Sequence, residues 1–139
     1  SRLRKDRPVH LLGIGNIADI FNGVRNGIDT FDCVHPTRIA RHGCALVMRE
    51  YRDRDDKEHI NLNNSKYKND MSPIDTTCDC YTCKNFTKAY LHHLIKSEEM
   101  LYMSAITIHN IHFMNRLMKK IRTSINDGTF DQLYKYWIN

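Results

Sequence analysis

The sequence lacks any apolar run close to the roughly 20 residues that a membrane-spanning helix needs. The opening residues 1–7 are mostly charged and lack the apolar stretch of a secretory signal. Internal repeats and low-complexity tracts are also absent. These absences favour a cytosolic protein without a membrane partner. Since 41% of the 139 residues are apolar, we expect a globular chain of one domain, or a piece of a larger domain.

A complete set of disulfides is excluded as well, because the chain has five cysteines and an odd number cannot pair internally. A reducing compartment would keep these cysteines as thiols that can bind metal. Acidic residues are in the minority, and the net charge is +5 with a pI near 9.0. This charge suits a polyanionic partner, although charge alone does not identify a nucleic-acid-binding protein.

The first third of the chain has the pattern of a βαβ unit. Residues 9–12 form an apolar run that ends in the glycine-rich turn 13–15, which predicts a buried strand and a tight turn. Asn16 is a good N-cap, and the helix after it carries one apolar stripe before Gly27: Ile17, Ile20, Phe21 and Val24. Residues 28–34 predict a second, parallel strand, with ligands expected at the carboxyl ends of the strands.

The rest of the chain divides into a loop-rich and a helical part. Residues 35–77 contain prolines and the charge-dense segment 49–58, and they predict solvated loops with one hairpin whose first strand is 44–48. Beyond them, apolar spacing predicts a helix near 86–95 and a short final helix from Phe130 to Trp137. Between these lies a longer helix, ended by Gly128, with this predicted apolar stripe: Ile111, Met114, Met118, Ile121 and Ile125.

Cys78, Cys80 and Cys83 place three thiols within six residues. This density is typical of tetrahedral zinc sites, whereas disulfides between such close neighbours would be strained. A fourth ligand is available among four downstream histidines, and spacing does not choose between them: His92, His93, His109 and His112. An iron–sulfur cluster is the chemical competitor, and reduced cysteines without metal are the plainer alternative.

Residues 13–18 match the dinucleotide-binding pattern G-x-G-x-x-A, and Asp32 follows at the end of the next predicted strand. This pattern favours a dinucleotide-dependent oxidoreductase. A plainer interpretation assigns the glycines to a tight turn and leaves Asp32 as an exposed carboxylate at a strand end. The pattern by itself leaves both interpretations open.

Two separated motifs resemble the tRNA-guanine transglycosylases, the queuine tRNA-ribosyltransferase family. Residues 32–43, DCVHPTRIARHG, resemble that family's D-C-V-x-P-T-R-x-A-R-x-G stretch. The three cysteines followed by His109 reproduce its zinc signature C-x-C-x2-C-x25-H, and residues 107–110 resemble its T-x-H-N. The resemblance spans nearly all of the chain, yet it corresponds only to the carboxyl-terminal third or so of the family's sequence.

The resemblance implies an α/β fold, the TIM (β/α)8 barrel, of which this chain carries the last βα units. Residues 1–49 would hold the final strands and helix of the barrel with the catalytic loop. Residues 50–77 would be connecting loops, and residues 78–139 a zinc-binding subdomain with the carboxyl-terminal helices. The family's zinc region also forms a homodimer contact, which implies a homodimer or a heterodimer with a paralogue; the candidate contact residues are Met100, Leu101, Met103, Met114 and Met118.

The family exchanges the wobble guanine of tRNA anticodons for a 7-deazaguanine base, queuine or its 7-aminomethyl precursor, through a covalent aspartyl–ribosyl intermediate. The resemblance implies that Asp32 is the nucleophile, and that His109 is the fourth ligand of one structural zinc ion. Arg38 and Arg41 match arginines that contact the tRNA anticodon. Leu12 and Gly13 match the family's strand end that forms the floor of the base pocket.

Two departures from the family pattern matter. Bacterial members often have lysine after the G-x-G turn as a tRNA contact, whereas this chain has Asn16. The family's base-recognising and proton-transferring residues belong to strands that precede Ser1. We therefore expect a fragment or one piece of a longer polypeptide, inactive alone. A non-catalytic zinc-containing accessory subunit is the alternative, and the retention of Asp32 within its motif argues against it.

Overall fold

The computed structural model describes residues 3–54 and 56–139, so Ser1, Arg2 and Asp55 of the predicted charged segments lie outside the described residues. The described chain mixes helices and short strands, which are β1 His10–Leu11, α1 Ile17–Arg25, β2 Thr30–Phe31, α2 His35–Ala40, β3 Cys44–Leu46, β4 His59–Asn61, α3 Tyr81–Asn85, α4 Lys88–Lys96, α5 Leu101–Asn126 and α6 Phe130–Ile138. Two 3-10 helices, Arg49–Tyr51 and Ser65–Tyr67, lie in the predicted loops.

The described residues form two compact units. The first contains the residues up to His35 together with Lys120–Asn139, and the second contains Pro36–Lys119. The carboxyl-terminal residues thus belong to the same unit as β1, α1 and β2. The three-part division inferred from the resemblance stays a prediction.

The first unit contains the predicted βαβ arrangement. Strands β1 and β2 pair in parallel, with His10 opposite Thr30 and Leu11 opposite Phe31. Helix α1 connects them, which confirms the order strand, helix, parallel strand. Each strand is only two residues long, shorter than the predicted 9–12 and 28–34. In the part of the chain that the structure describes this ladder has two strands, and so small a ladder supports little regular structure.

Helix α1 follows the sequence prediction closely. The Asn16 side chain accepts a hydrogen bond of 2.8 Å from the Asp19 N–H, which satisfies one of the free donors of the first turn. Ile17, Ile20 and Phe21 of the predicted stripe are buried. The Phe21 ring contacts the aromatic face of α6, with centroid distances of 6.0 to 6.4 Å to Phe130, Tyr134 and Trp137. Burial of this aromatic cluster joins α1 to α6.

In the second unit, β3 and β4 form the predicted hairpin. They pair antiparallel, with Ala45 opposite Ile60, and the charge-dense segment connects them. The prediction of loops after His35 was wrong for residues 35–40, which form α2. Pro36 lies in the first turn of α2, where its missing N–H breaks no hydrogen bond, so it does not prevent a helix.

Helix α5 is present as predicted, but only Ile121 of its predicted apolar stripe is fully buried. It begins at Leu101, and Ile111 and Ile125 are about half exposed. The buried face of α5 consists of these side chains: Ala105, Ile106, His109, Asn110, Phe113, Leu117, Ile121 and Ser124. The stripe was misplaced because a periodicity argument puts polar residues outside, whereas the folded helix buries a histidine, an asparagine and a serine.

Asn110 can be buried because its side-chain amide forms hydrogen bonds with backbone groups. Its Oδ1 accepts from the Leu46 N–H at 2.9 Å, and its Nδ2 donates to the carbonyls of Pro36 and Cys44 at 2.9 and 3.1 Å. One amide therefore satisfies three backbone groups from α2 and β3.

Among the described residues no helix is both long and apolar enough to cross a bilayer.

We predict that Asn110→Ala lowers the free energy of unfolding of the full protein by about 2–3 kcal/mol, because it leaves buried backbone groups without partners. Asn115→Ala removes an exposed amide from the same helix and is the matched control, with an expected change below about 0.5 kcal/mol. Denaturant titration measures both values. Equal losses in the two variants would contradict the role assigned to Asn110.

Candidate functional site

A cluster of four metal-binding side chains lies in the second unit. The ligand atoms of Cys78, Cys80, Cys83 and His109 all lie within 4.8 Å of one another. The His109 Nδ1 atom is 3.8, 3.7 and 3.3 Å from the three sulfur atoms, in chain order. A tetrahedral zinc ion with the usual bond lengths would separate sulfur from nitrogen by roughly 3.5 Å. These four residues therefore fit a single metal ion.

The other nitrogen of His109 fixes the ring for this task. Its Nε2 donates to the Leu46 carbonyl at 2.8 Å, so the proton sits on Nε2 and the Nδ1 lone pair faces the thiols. Backbone carbonyls commonly orient metal-binding histidines in this way. His109 is fully buried, and it is thus held between β3 and the cysteine segment.

The remaining candidate histidines are engaged elsewhere or lie on the surface. His92 is buried, and its Nδ1 pairs with the Leu62 carbonyl at 2.8 Å. His112 contacts the exposed Asp79 carboxylate through Nε2 at 2.8 Å, and His93 is exposed. Of the four histidines that the sequence left open, the structure brings only His109 to the cysteines.

Local hydrogen bonds shape the cysteine segment. Cys80 caps the short helix α3, where its sulfur accepts from the Cys83 N–H at 3.3 Å. Asp75 forms a turn ahead of the cysteines: its Oδ1 accepts from the N–H and hydroxyl of Thr77, and its carbonyl accepts from the Cys78 N–H. These bonds hold the thiols in place through the backbone.

The surroundings of the Cys83 thiol affect its pKa. Burial raises the pKa of the Cys83 thiol, and the neighbouring Cys78 and Cys80 raise it further. Burial and the neighbouring sulfur atoms thus disfavour the thiolate form of Cys83 in the absence of a cation. A bound metal ion supplies the positive charge that makes the thiolate form stable.

In the first unit, Asp32 lies directly after β2, at the carboxyl end of the parallel ladder. The Gly13 N–H donates to Asp32 Oδ1 at 3.0 Å, and His10 Nε2 lies 3.0 Å from the same oxygen. The Gly13 N–H, followed by the His10 side chain, lowers the pKa of the Asp32 carboxyl below its ordinary value. Asp32 is therefore ionised at neutral pH, as a carboxylate nucleophile must be.

The glycine-rich turn serves this geometry. Gly13 has a φ of +69°, a conformation that favours glycine. At Gly15, an added Cβ would lie 2.3 Å from the Cβ of Cys33, so only glycine lets the turn pass this close to the segment after β2. The contact of the Gly13 N–H with Asp32, together with this packing, accounts for the G-x-G pattern without a dinucleotide.

Leu12 and Gly13 follow β1 as Asp32 follows β2, so the structure brings these three predicted residues together at one edge of the ladder. The Leu12 side chain is 76% exposed. An exposed leucine beside an ionised carboxylate provides an apolar surface for a flat ligand. The exposed strand ends are therefore a candidate ligand-binding surface.

Arg38 and Arg41 belong to the second unit, on α2 and the turn after it, and both are exposed. They lie three positions apart, so their side chains project from the same side of the helical turn. In the part of the chain that the structure describes, neither guanidinium has an acidic partner. Both arginines are thus available to an anionic ligand.

Three residues were not given a role from the sequence. His10 and Thr30 meet across the parallel ladder, at 2.7 Å between His10 Nδ1 and Thr30 Oγ1. The sequence offered only a histidine inside the apolar run 9–12. A role for this histidine becomes evident only when the strand register is known. Asn110 follows His109 in the T-x-H-N motif, but its backbone partners become evident only in the folded unit.

Comparison with known proteins bears on both sites. A sequence profile of the family described as queuine tRNA-ribosyltransferase matches residues 1–139, the whole chain. The chain is similar to the queuine tRNA-ribosyltransferases of Haemophilus ducreyi, 48% identical over 130 residues, and Acinetobacter baylyi, 46% over 132 residues. A third relative, from Roseiflexus sp., is 44% identical over 131 residues.

These matches cover 94%, 95% and 94% of this chain, respectively, but only 32% of each relative. The chain therefore spans about a third of the length of the curated relatives it matches. The match argues against the dinucleotide-dependent oxidoreductase, the rival that the G-x-G-x-x-A pattern had left open. The chain belongs to the queuine tRNA-ribosyltransferase family.

Proposed function

We propose that the protein carrying this chain exchanges the wobble guanine of tRNA anticodons for a 7-deazaguanine base, with Asp32 as the nucleophile. The observation that carries the proposal is the Asp32 carboxylate, which lies at the end of a parallel strand and accepts hydrogen bonds from the Gly13 N–H and His10 that lower its pKa. The names of the relatives, queuine tRNA-ribosyltransferases, support this substrate class.

The reaction needs two displacements at the anomeric carbon of the nucleotide. Asp32 attacks this carbon, the bond to guanine breaks, and guanine leaves with the electron pair. The incoming base then displaces the carboxylate. Guanine gains one proton and the incoming base loses one, so the exchange is proton-neutral overall. Asp32 forms and breaks the covalent bond, as in retaining glycosidases.

The base pocket and the tRNA contacts complete this proposal. Leu12 and Gly13 are proposed to line the floor of the base pocket, since they lie beside Asp32 at the strand ends. Arg38 and Arg41 are proposed to bind the anticodon, because both are exposed and neither faces an acidic partner among the described residues. Guanidinium groups stack on splayed bases and pair with phosphates.

We further propose that the metal is a single zinc ion with a structural role. Three cysteines and one histidine fill the four tetrahedral positions and leave none for a catalytic water. Zinc would stabilise the cysteine segment together with α5 and β3. Thiolate ligation also fits a reducing compartment, so a cytosolic location remains part of the proposal.

The fold of the whole protein and its assembly are also proposals. The parallel βαβ unit, with Asp32 at the carboxyl end of its ladder, suits the last part of a TIM (β/α)8 barrel. Leu101 is the first residue of α5 and is 47% exposed, and Met100 directly before it is 74% exposed. Such apolar exposure supports a homodimer or a heterodimer with a paralogue.

We predict that Asp32→Asn in the full protein lowers guanine exchange into tRNA by more than about 1,000-fold and abolishes the covalent tRNA adduct, because the amide is not a nucleophile. Incorporation of labelled guanine and denaturing gels measure the two effects. Asp127→Asn, an exposed carboxylate in the same unit, is the matched control with unchanged activity. An adduct that persists in Asp32→Asn would contradict the assignment, and a wild-type protein without exchange would favour the accessory subunit.

We predict that metal analysis finds one zinc ion per chain and that His109→Ala loses it on passage over a chelating resin, because the site then has only three ligands. His112 lies three positions after His109 in the same helix, and the control variant His112→Ala is expected to retain zinc. Retention in His109→Ala, or iron in place of zinc, would contradict the proposed metal centre.

We predict that Arg41→Ala raises the KM for tRNA about tenfold and lowers the salt slope of tRNA binding by about 1, since one cationic contact is lost. Arg122→Ala removes another exposed arginine and is the control. Filter binding at several salt concentrations measures the slope. If the two variants have the same KM and slope, Arg41 does not contact tRNA.

A further inference from the structure

His10 is held in a defined orientation beside the proposed nucleophile. Parallel pairing places His10 opposite Thr30, and Asp32 is two residues beyond Thr30, so their side chains share one face of the ladder. His10 Nδ1 lies 2.7 Å from Thr30 Oγ1, and His10 Nε2 lies 3.0 Å from Asp32 Oδ1. Both ring nitrogens are therefore used, and the ring connects the threonine hydroxyl with the carboxylate.

The direction of these hydrogen bonds follows from the charge of Asp32. An ionised carboxylate only accepts hydrogen bonds, so His10 Nε2 must carry a proton and donate it. In the neutral imidazole, Nδ1 is then an acceptor, and the Thr30 hydroxyl is its donor. The Asp32 carboxylate thus selects the tautomer, and the hydrogen bond with Thr30 holds the orientation of the His10 ring.

The two oxygens of Asp32 are not equivalent. Oδ1 accepts from His10 Nε2 and from the Gly13 N–H, at 3.0 Å each. Oδ2 receives no hydrogen bond from any residue that the structure describes. Two donors on one oxygen fix the carboxylate plane and leave the lone pairs of the other oxygen free. The geometry thus distinguishes an anchored oxygen from an attacking oxygen.

We propose that His10 is a positioning residue for the nucleophile: held by Thr30, it anchors Asp32 Oδ1 so that Oδ2 attacks the ribose. This role rests on the proposed function. In the first displacement the bond from Oδ2 to the anomeric carbon forms while the bond to guanine breaks. In the second, the bond to Oδ2 breaks and its electron pair returns to the carboxylate. His10 keeps its Nε2 proton throughout and stabilises the returning charge on Oδ1.

A purely structural role accounts poorly for this arrangement. The side chains of His10 and Asp32 are 42% and 61% exposed in the described chain. Pairs at this exposure contribute little to stability, because water solvates both partners well. The precise use of both imidazole nitrogens is explained better by orientation of Asp32 than by folding.

The test compares His10→Ala with His10→Gln in the full protein. Alanine removes the donor, and we expect kcat for guanine exchange to fall about tenfold to a hundredfold while the KM for tRNA stays within about twofold. The glutamine amide replaces the Nε2–H donor, and we expect it to keep kcat within about fivefold of wild type. Thr30→Val keeps the strand shape and removes the hydroxyl, so it is expected to lower kcat by an intermediate factor.

Unchanged kcat in His10→Ala would overturn the role of His10, and so would a glutamine variant as slow as the alanine variant. Both results require a wild type that exchanges guanine and an Asp32→Asn variant that does not. A wild type without exchange, or exchange that survives Asp32→Asn, would overturn the proposed function and the role of His10 together. The failure of the inference is thus distinguished from the failure of the proposed function.

Discussion

The His109 side chain is the contact on which the second unit depends most. Its Nδ1 faces the three thiols while its Nε2–H binds the Leu46 carbonyl, so one imidazole ties α5 to the cysteine segment and to β3. Asn110, the next residue, continues the same connection to the backbone of α2 and β3. Two adjacent buried polar residues thus lie on the inward face of α5 among its apolar side chains and connect that face to other elements.

The geometry of the first unit depends on the parallel register of two very short strands, β1 and β2. That register sets His10 opposite Thr30 and lets the turn after β1 reach the residue after β2. A carboxylate at this position receives a backbone N–H and an imidazole N–H at one oxygen. Both donors favour the ionised form, which is the form that a covalent mechanism at Asp32 requires.

The sequence was sufficient for features that local chemistry decides. The N-cap and the buried face of α1 follow from spacing and residue type, and the structure confirms both. The cysteine spacing predicts three metal ligands, and the structure places these cysteines with His109 in a group that could hold a metal ion. The choice of His109 came only from the family resemblance, because His109 and His112 are three positions apart on one helix and periodicity does not separate them. The structure separates them through burial: His109 is enclosed, and His112 reaches the surface carboxylate of Asp79.

Contacts between residues far apart in sequence were beyond such reasoning. The anchoring of Asp32 by His10 spans 22 positions and requires the exact strand register. The buried face of α5 depends on hydrogen bonds across more than 60 positions, from His109 and Asn110 to Leu46. No pattern within one helix contains that information, because the partners lie on another element.

The central claim is that Asp32 becomes covalently attached to the ribose of tRNA. The most direct measurement is mass spectrometry of the trapped complex between the full protein and tRNA, after digestion of both, to identify the amino acid that carries the nucleotide. The account predicts an ester to the carboxylate of Asp32. A nucleotide on any other residue, or no covalent complex with a protein that exchanges guanine, would contradict it.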